Sequence, residues 1–197
     1  MTANALFYFN ANIMADELID ILNEHGEATE DVRLKSEAHR LGLYHASVHI
    51  WFYTQHKELL FQKRAENKDT YPGLWDISVA GHISAGENPK TSAIREIQEE
   101  IGLSIMDHEL DFLKIYPSQK RPAPGIIDNE FHHIYLSELK TPITELTLQK
   151  EEVSDIQLLR IEEFEEIRKR PLQNQGYVPH DSEYLDLILK EITNRIE

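Results

Sequence analysis

The chain has 197 residues, 41% of them hydrophobic and 28% charged, with no cysteine and a formal charge of −15 from 35 acidic against 20 Lys and Arg residues. That length fits one domain with extensions, and that composition supports a packed core, so disordered and fibrous readings are excluded. The acid excess repels phosphate backbones and anionic lipid, so neither a nucleic-acid nor a membrane partner is expected, and without thiols any metal must sit on oxygen or imidazole.

Residues 1 to 16 read as a leader, with Met14 an alternative start, ahead of a single domain over 17 to 197. No secretory-type apolar stretch and no run of 18 apolar residues occurs, so a cytoplasmic protein is expected. Residues 17 to 22 read as a strand entering a turn at Asn23 to Gly26, and Lys35 to Leu41 as a short helix. Tyr44 to Tyr53 (YHASVHIWFY) is aromatic and β-branched, and with Glu58 to Lys63 it predicts a β-hairpin. A polar loop leads to a third strand, Leu74 to Ala80.

After Pro89, apolar residues at Ala93, Ile94, Ile97 and Ile101 have the three-to-four spacing of a one-sided helix over Lys90 to Ile101, closed by Gly102. Strands are predicted at Asp111 to Tyr116 and Phe131 to Leu136, with a turn-prone stretch, PSQKRPAPGIIDN, between them, and again at Ile156 to Leu159. Helical spacing returns over 161 to 170 and 182 to 197. The sum is a mixed sheet flanked by helices.

The chemistry concentrates in GHISAGENPKTSAIREIQEEIGL, residues 81 to 103. Glu96, Glu99 and Glu100 stand at i, i+3 and i+4, so a helix presents three mutually repelling carboxylates on one face. Taken alone they fit a solvated acidic face. Taken as a site, they fit hard divalent cations, Mg²⁺ or Mn²⁺, that bridge the cluster to a diphosphate which an acidic protein would otherwise repel.

The segment resembles the Nudix box: Gly, five residues, Glu, seven residues, then Arg-Glu-aliphatic-any-Glu-Glu-any-Gly-aliphatic. Seven fixed residues at about 7% usage each recur by chance at roughly one in 10⁸ per window. The resemblance implies the Nudix fold, an α/β (α+β) mixed β-sheet core flanked by helices as an α/β/α sandwich, over roughly Glu17 to Arg168. It also implies that Glu96, Glu99 and Glu100 bind metal, that the Gly81 carbonyl adds a ligand, that Glu87 pairs with Arg95 to hold the loop, and that Gly102 serves backbone geometry.

More narrowly, LYHASV, YPGLW, SVAGH and GIIDNEF are similar to the type I isopentenyl diphosphate isomerases. Those enzymes place a Cys two residues before a metal-binding His, a further His on the early strand, and two Glu separated by one residue. The matching positions here are Ala80, His82, His45, and Asp128 with Glu130. Ala80 has no proton to give, and the intact box favours hydrolysis over isomerisation.

His39, His45, His49 and His82, with Asp128, are candidates for a second metal site or for ordinary packing. Asp128 and Glu130, at a loop-to-strand junction, suit a general base or a polar turn, Glu130 being the better placed. Arg64 and Lys63 suit a phosphate or solvent, and Trp75 suits the core or the pocket rim. The expected function is metal-dependent hydrolysis of a small-molecule diphosphate linked to another moiety, such as a nucleoside diphosphate derivative. Glu99, Glu100 and Glu130 are its catalytic candidates. The alternatives are an isoprenoid diphosphate isomerase or phosphatase, and a noncatalytic nucleotide sensor. A homodimer through the N-terminal strands or C-terminal helix is compatible with the sequence.

Overall fold

The computed structural model describes residues 16–196. All but Asp16 of the leader expected over residues 1 to 16, and the choice between Met1 and Met14, lie outside those residues. Among the described residues, nine strands form one mixed sheet around β3 (Tyr44–Tyr53), a segment rich in aromatic and β-branched residues. On one edge β3 pairs in parallel with β8 (Ile126–Glu138), from Tyr44↔Asn129 to Tyr53↔Glu138. On the other it pairs antiparallel with β6 (Val79–His82), between single contacts to β1 (Leu18–Leu22) and β4 (Glu58–Arg64).

The expected hairpin of β3 and β4 is therefore paired only at its closed end, Tyr53↔Leu59, and the two strands diverge below it. Ser78 fills the split: the Phe52 N–H donates to its hydroxyl at 2.8 Å, and the hydroxyl donates to the Leu60 carbonyl at 2.6 Å. A side chain thus satisfies backbone groups that the divergence leaves unpaired. It does so because the single strand expected over Leu74 to Ala80 is two. β5 (Trp75–Asp76) pairs with β4, β6 pairs with β3, and Ile77 and Ser78 cross between the halves.

Side chains alternate across this sheet with period two. Val48, Ile50, Phe52, Leu60 and Tyr135 pack with Ile97 and Ile101 of α2 (Pro89–Ile101). Trp51, Tyr53, Leu59, Phe61, Ile134 and Leu136 pack with Tyr184, Leu185 and Ile188 of α4 (Ser182–Ile196). The sheet thus lies between helices on its two faces. Trp51 is a core residue, 1% exposed. No helix among the described residues is long and apolar enough to cross a membrane.

Four further expectations need correction. β2 (Ala28–Leu34) was not foreseen: ATEDVRL has little apolar patterning because it is a largely exposed edge paired only with β1. The stretch read as turn-prone is the long hairpin of β7 (Asp111–Ala123) and β8, turning at Pro124 and Gly125. Its prolines mislead because β7 is an edge strand, where a missing N–H leaves no neighbour unpaired. β9 (Val153–Arg160) extends beyond Ile156 to Leu159 along β4. The helix expected over 161 to 170 stops earlier, as α3 (Ile161–Ile167), and α1 (Lys35–Leu41) forms as expected.

Candidate active site

α2 begins at Asn88, whose side chain accepts from the Lys90 N–H at 2.9 Å, continues through Pro89, and ends at Gly102 in the left-handed conformation. A Cβ on Gly102 would also meet the Thr147 carbonyl at 2.8 Å. The helix presents Glu96, Glu99 and Glu100 to a cleft of about 760 Å³ between the diverging halves of the sheet.

The three carboxylates differ in environment. Glu100 is 5% exposed and accepts one hydrogen bond, from Gln62 Nε2 at 3.1 Å; burial, then the charge of Glu96, raises its carboxyl well above the ordinary range. Burial raises Glu96 to about 7 against the pull of Arg95, with Glu99 adding to the rise. Glu99 is half exposed. Arg95 spans the group, donating to Glu96 Oε1 at 2.7 Å, Glu99 Oε2 at 3.0 Å, Glu87 Oε2 at 3.1 Å and the His82 carbonyl at 3.3 Å. One guanidinium fork therefore ties the box loop to the carboxylate face. Two raised carboxyls side by side are the electrostatic mark of a site suited to cations.

A second cluster faces the same cleft. On β3 and β8, His45 stands opposite Glu130; His82 ends β6, and α1 brings His39 over them. The imidazole centroids of His39, His45 and His82 lie 5.0 to 5.3 Å apart. His45 Nε2 is 3.5 Å from Glu130 and 3.8 Å from Asp128, His82 Nε2 is 3.5 Å from Glu130, and His39 Nε2 is 3.7 Å from Asp128.

All three Nε2 atoms and Asp128 Oδ1 are buried without a hydrogen-bond partner among the described residues. His45 Nδ1 donates to the Leu43 carbonyl at 3.0 Å, which fixes Nε2 toward Glu130; against the lowering by burial, Glu130 raises His45 above its ordinary value, so a metal ion would take the place of a proton at Nε2. Burial, then the charge of His45, lowers His39 to about 4, and burial holds His82 well below its ordinary value, so both are neutral at pH 7. Burial and the neighbouring Glu130 raise Asp128 to about 7. The ligand atoms of His39, His45 and His82 lie within 4.8 Å of one another, as do those of His45, Asp128 and Glu130, so these residues fit a divalent metal ion.

The structure thus brings Glu96, Glu99, Glu100, Gly81, His82, Asp128 and Glu130 to one cleft, with His45 buried behind them. Asp128 and Glu130 lie inside β8, opposite Lys120 and Ser118, and not at a loop junction as expected. Arg64 lines the cleft but is held by Asp76 at 3.2 Å and the Thr70 carbonyl at 2.9 Å; Lys63 does not line it, being the next residue on the strand and on the other face. Trp75 packs in the α4-side core and is not among the lining residues.

Sequence reasoning missed Lys68, Lys120, Asp76, His132 and His180, all of which line the cleft. Only His132, two residues past Glu130 on the same strand face, carried a signal that could have found it.

The NUDIX domain profile matches residues 43–180. Nudix hydrolase 3 of Arabidopsis thaliana is 38% identical over 172 residues, which is 85% of this chain but only 22% of that protein's length. An isopentenyl-diphosphate Delta-isomerase of Aliivibrio fischeri is 32% identical over 145 residues, 72% of this chain and 78% of that one. A crystal structure from Deinococcus radiodurans shares the fold, with a TM-score of 0.63 and 19% identity, covering 89% of this chain and 98% of that one. Fold, box and relatives define a Nudix-type hydrolase. The chain belongs to the Nudix family.

Proposed function

We propose that the protein hydrolyses, with divalent cations, the phosphoanhydride bond of a small-molecule diphosphate linked to another moiety, such as a nucleoside diphosphate derivative. The observation that carries this is the meeting, in one cleft, of the box carboxylates with an imidazole and carboxylate cluster whose ring nitrogens have no partner. Glu96, Glu99 and Glu100, with the Gly81 carbonyl, would hold Mg²⁺ or Mn²⁺. His39, His45, His82, Asp128 and Glu130 would hold a second ion, and their nitrogen content suits Mn²⁺ or a later metal better than Mg²⁺. Bound cations supply charge neutralisation for the diphosphate and a lowered pKa for water.

The chain's own part is positional. Arg95 links Glu87, Glu96 and Glu99, so the box loop and helix α2 hold one geometry. Glu130, with imidazoles on three sides at 3.5 to 3.6 Å, suits a ligand better than the general base expected of it. Isomerisation is disfavoured because Ala80, opposite His49 on the strand pair, has no proton to transfer.

The test is a panel of nucleotide, nucleotide-sugar, dinucleoside and isoprenoid diphosphates assayed with Mg²⁺ and with Mn²⁺ for release of monophosphate or phosphate, with NMR of isopentenyl diphosphate for double-bond migration. Cation-dependent release without migration is expected. Migration, or ligand binding without turnover of any member, refutes the hydrolytic reading.

A further inference from the structure

Below the imidazole and carboxylate cluster, the sheet face continues inward as Ser47 and His49 on β3 and His132 on β8, and His180 comes over them from the segment before α4. His132 backs the cluster, its Nδ1 lying 2.8 Å from Ser47 Oγ and 3.6 Å from Glu130, and His49 offers a ring nitrogen within 4.8 Å of a Glu130 oxygen. His49 stacks on His132 with centroids 3.8 Å apart, and His180 stacks on Tyr184 at 5.4 Å. The segment carrying His180 is pinned to β5, through Trp75 N to Gly176 O and Val178 N to Trp75 O at 2.8 Å each, and to Lys120, which donates to the Pro179 carbonyl at 3.0 Å.

The hydrogen bonds behind these rings determine what the rings offer in front. Tyr184 Oη accepts from Trp51 Nε1 at 2.9 Å, because an indole N–H can only donate. Its own single proton then goes to its other partner, His49 Nδ1, at 2.8 Å. His49 is thereby the Nε2–H tautomer, with a donor toward the cleft. At His180 the order reverses. Nε2 is 2.8 Å from Asp76 Oδ1, a carboxylate that the bonds from His180 and Arg64 hold well below the usual range despite burial, so Nε2 carries the proton. Burial and the charge of Lys120 keep the ring neutral, leaving Nδ1 a bare acceptor. The hydrogen bonds of the two rings among the described residues run through His49 Nδ1 and His180 Nε2, and both residues line the cleft. The two rings meet edge to face, centroids 6.0 Å apart.

We propose that His49 and His180 form a donor and acceptor pair that selects a hydroxylated, sugar-type group attached to the diphosphate and rejects a hydrocarbon chain. A hydroxyl can accept from His49 and donate to His180 at once. A prenyl chain in the same place would strand both nitrogens, and sites built to hydrogen-bond a hydroxyl discriminate by at least tenfold against a ligand that lacks it. The proposal rests on the diphosphate reading above for what anchors the ligand.

Calorimetric titration with UDP-glucose and with isopentenyl diphosphate, using Ca²⁺ in place of Mg²⁺ to slow turnover, tests it as binding. UDP-glucose is expected to bind at least tenfold tighter. His180→Phe and His49→Leu are expected to cut UDP-glucose affinity at least tenfold while changing isopentenyl diphosphate affinity less than threefold. His180→Gln and His49→Gln, which preserve a donor and an acceptor at each place, restore most of it. Equal wild-type affinities, binding of neither ligand, or equal losses for both ligands in the variants overturn the proposal, and the wild-type comparison stands even where a variant fails to fold. Failure of the hydrolytic reading is separate: it appears as absent product release with the binding preference intact.

Discussion

Glu96 lies directly against the bare α-carbon of Gly81: a Cβ there would stand 2.1 Å from Glu96 Cδ and 2.4 Å from Oε1. The glycine is required for space and not for a left-handed backbone, because β6 runs past the helix closely enough for the carboxylate to occupy the side-chain position. Gly81→Ala is therefore expected to push Glu96 out of place, lowering turnover by about 10²-fold and weakening Mn²⁺ affinity, which titration followed by electron paramagnetic resonance would read. Unchanged affinity would show that Glu96 does not need this seat.

Glu96 has a folded value near 7 against an ordinary 4.5. Between those values the folded chain holds a proton that the unfolded chain has lost, so this group's contribution to metal-free stability falls as pH rises from 4.5 to 7. Glu96→Gln mimics the protonated form. In metal-free protein it is expected to stabilise by up to about 3 kcal/mol at pH 8 and by little at pH 4.5. Denaturant melts at the two pH values check this, and saturating Mn²⁺ should reverse the order at pH 8.

Glu99→Gln and Glu100→Gln are each expected to lower turnover by about 10²-fold or more with folding retained, as for lost metal carboxylates. Steady-state rates beside circular dichroism decide it. Retained activity in both would remove the box helix from the chemistry.

His45→Ala and His82→Ala are expected to remove one bound ion per chain, seen by elemental analysis after loading with Mn²⁺ and desalting, while the ion at the box carboxylates stays. Equal metal content in wild type and variants would leave the imidazole cluster a packing feature.

Much of this was legible in residue order. Helix α2 with Pro89 in its first turn and Gly102 at its end, the aromatic and β-branched run of β3, and the three carboxylates at i, i+3 and i+4 are local patterns, the helical ones set by the 3.6 period of the backbone. The hairpin of β7 and β8 was hidden because Pro117 and Pro122 signal turns as Pro124 does, and only the knowledge that β7 is an edge makes those two compatible with pairing. The break at Ile77 and Ser78 was invisible too, since LWDISVA reads as one strand whether it pairs with one neighbour or two.

Residue order by itself determined the box helix, its acidic face and the membership that goes with them, because spacing along one helix fixes which side chains are neighbours. Only the tertiary structure decided that His39, His45, His82 and Glu130 share a centre, and that Asp76 and Tyr184 give His180 and His49 opposite hydrogen-bonding characters. Those residues come from strands and helices far apart in the chain, and their meeting depends on sheet register and on where β3 and β4 part, which no local pattern encodes.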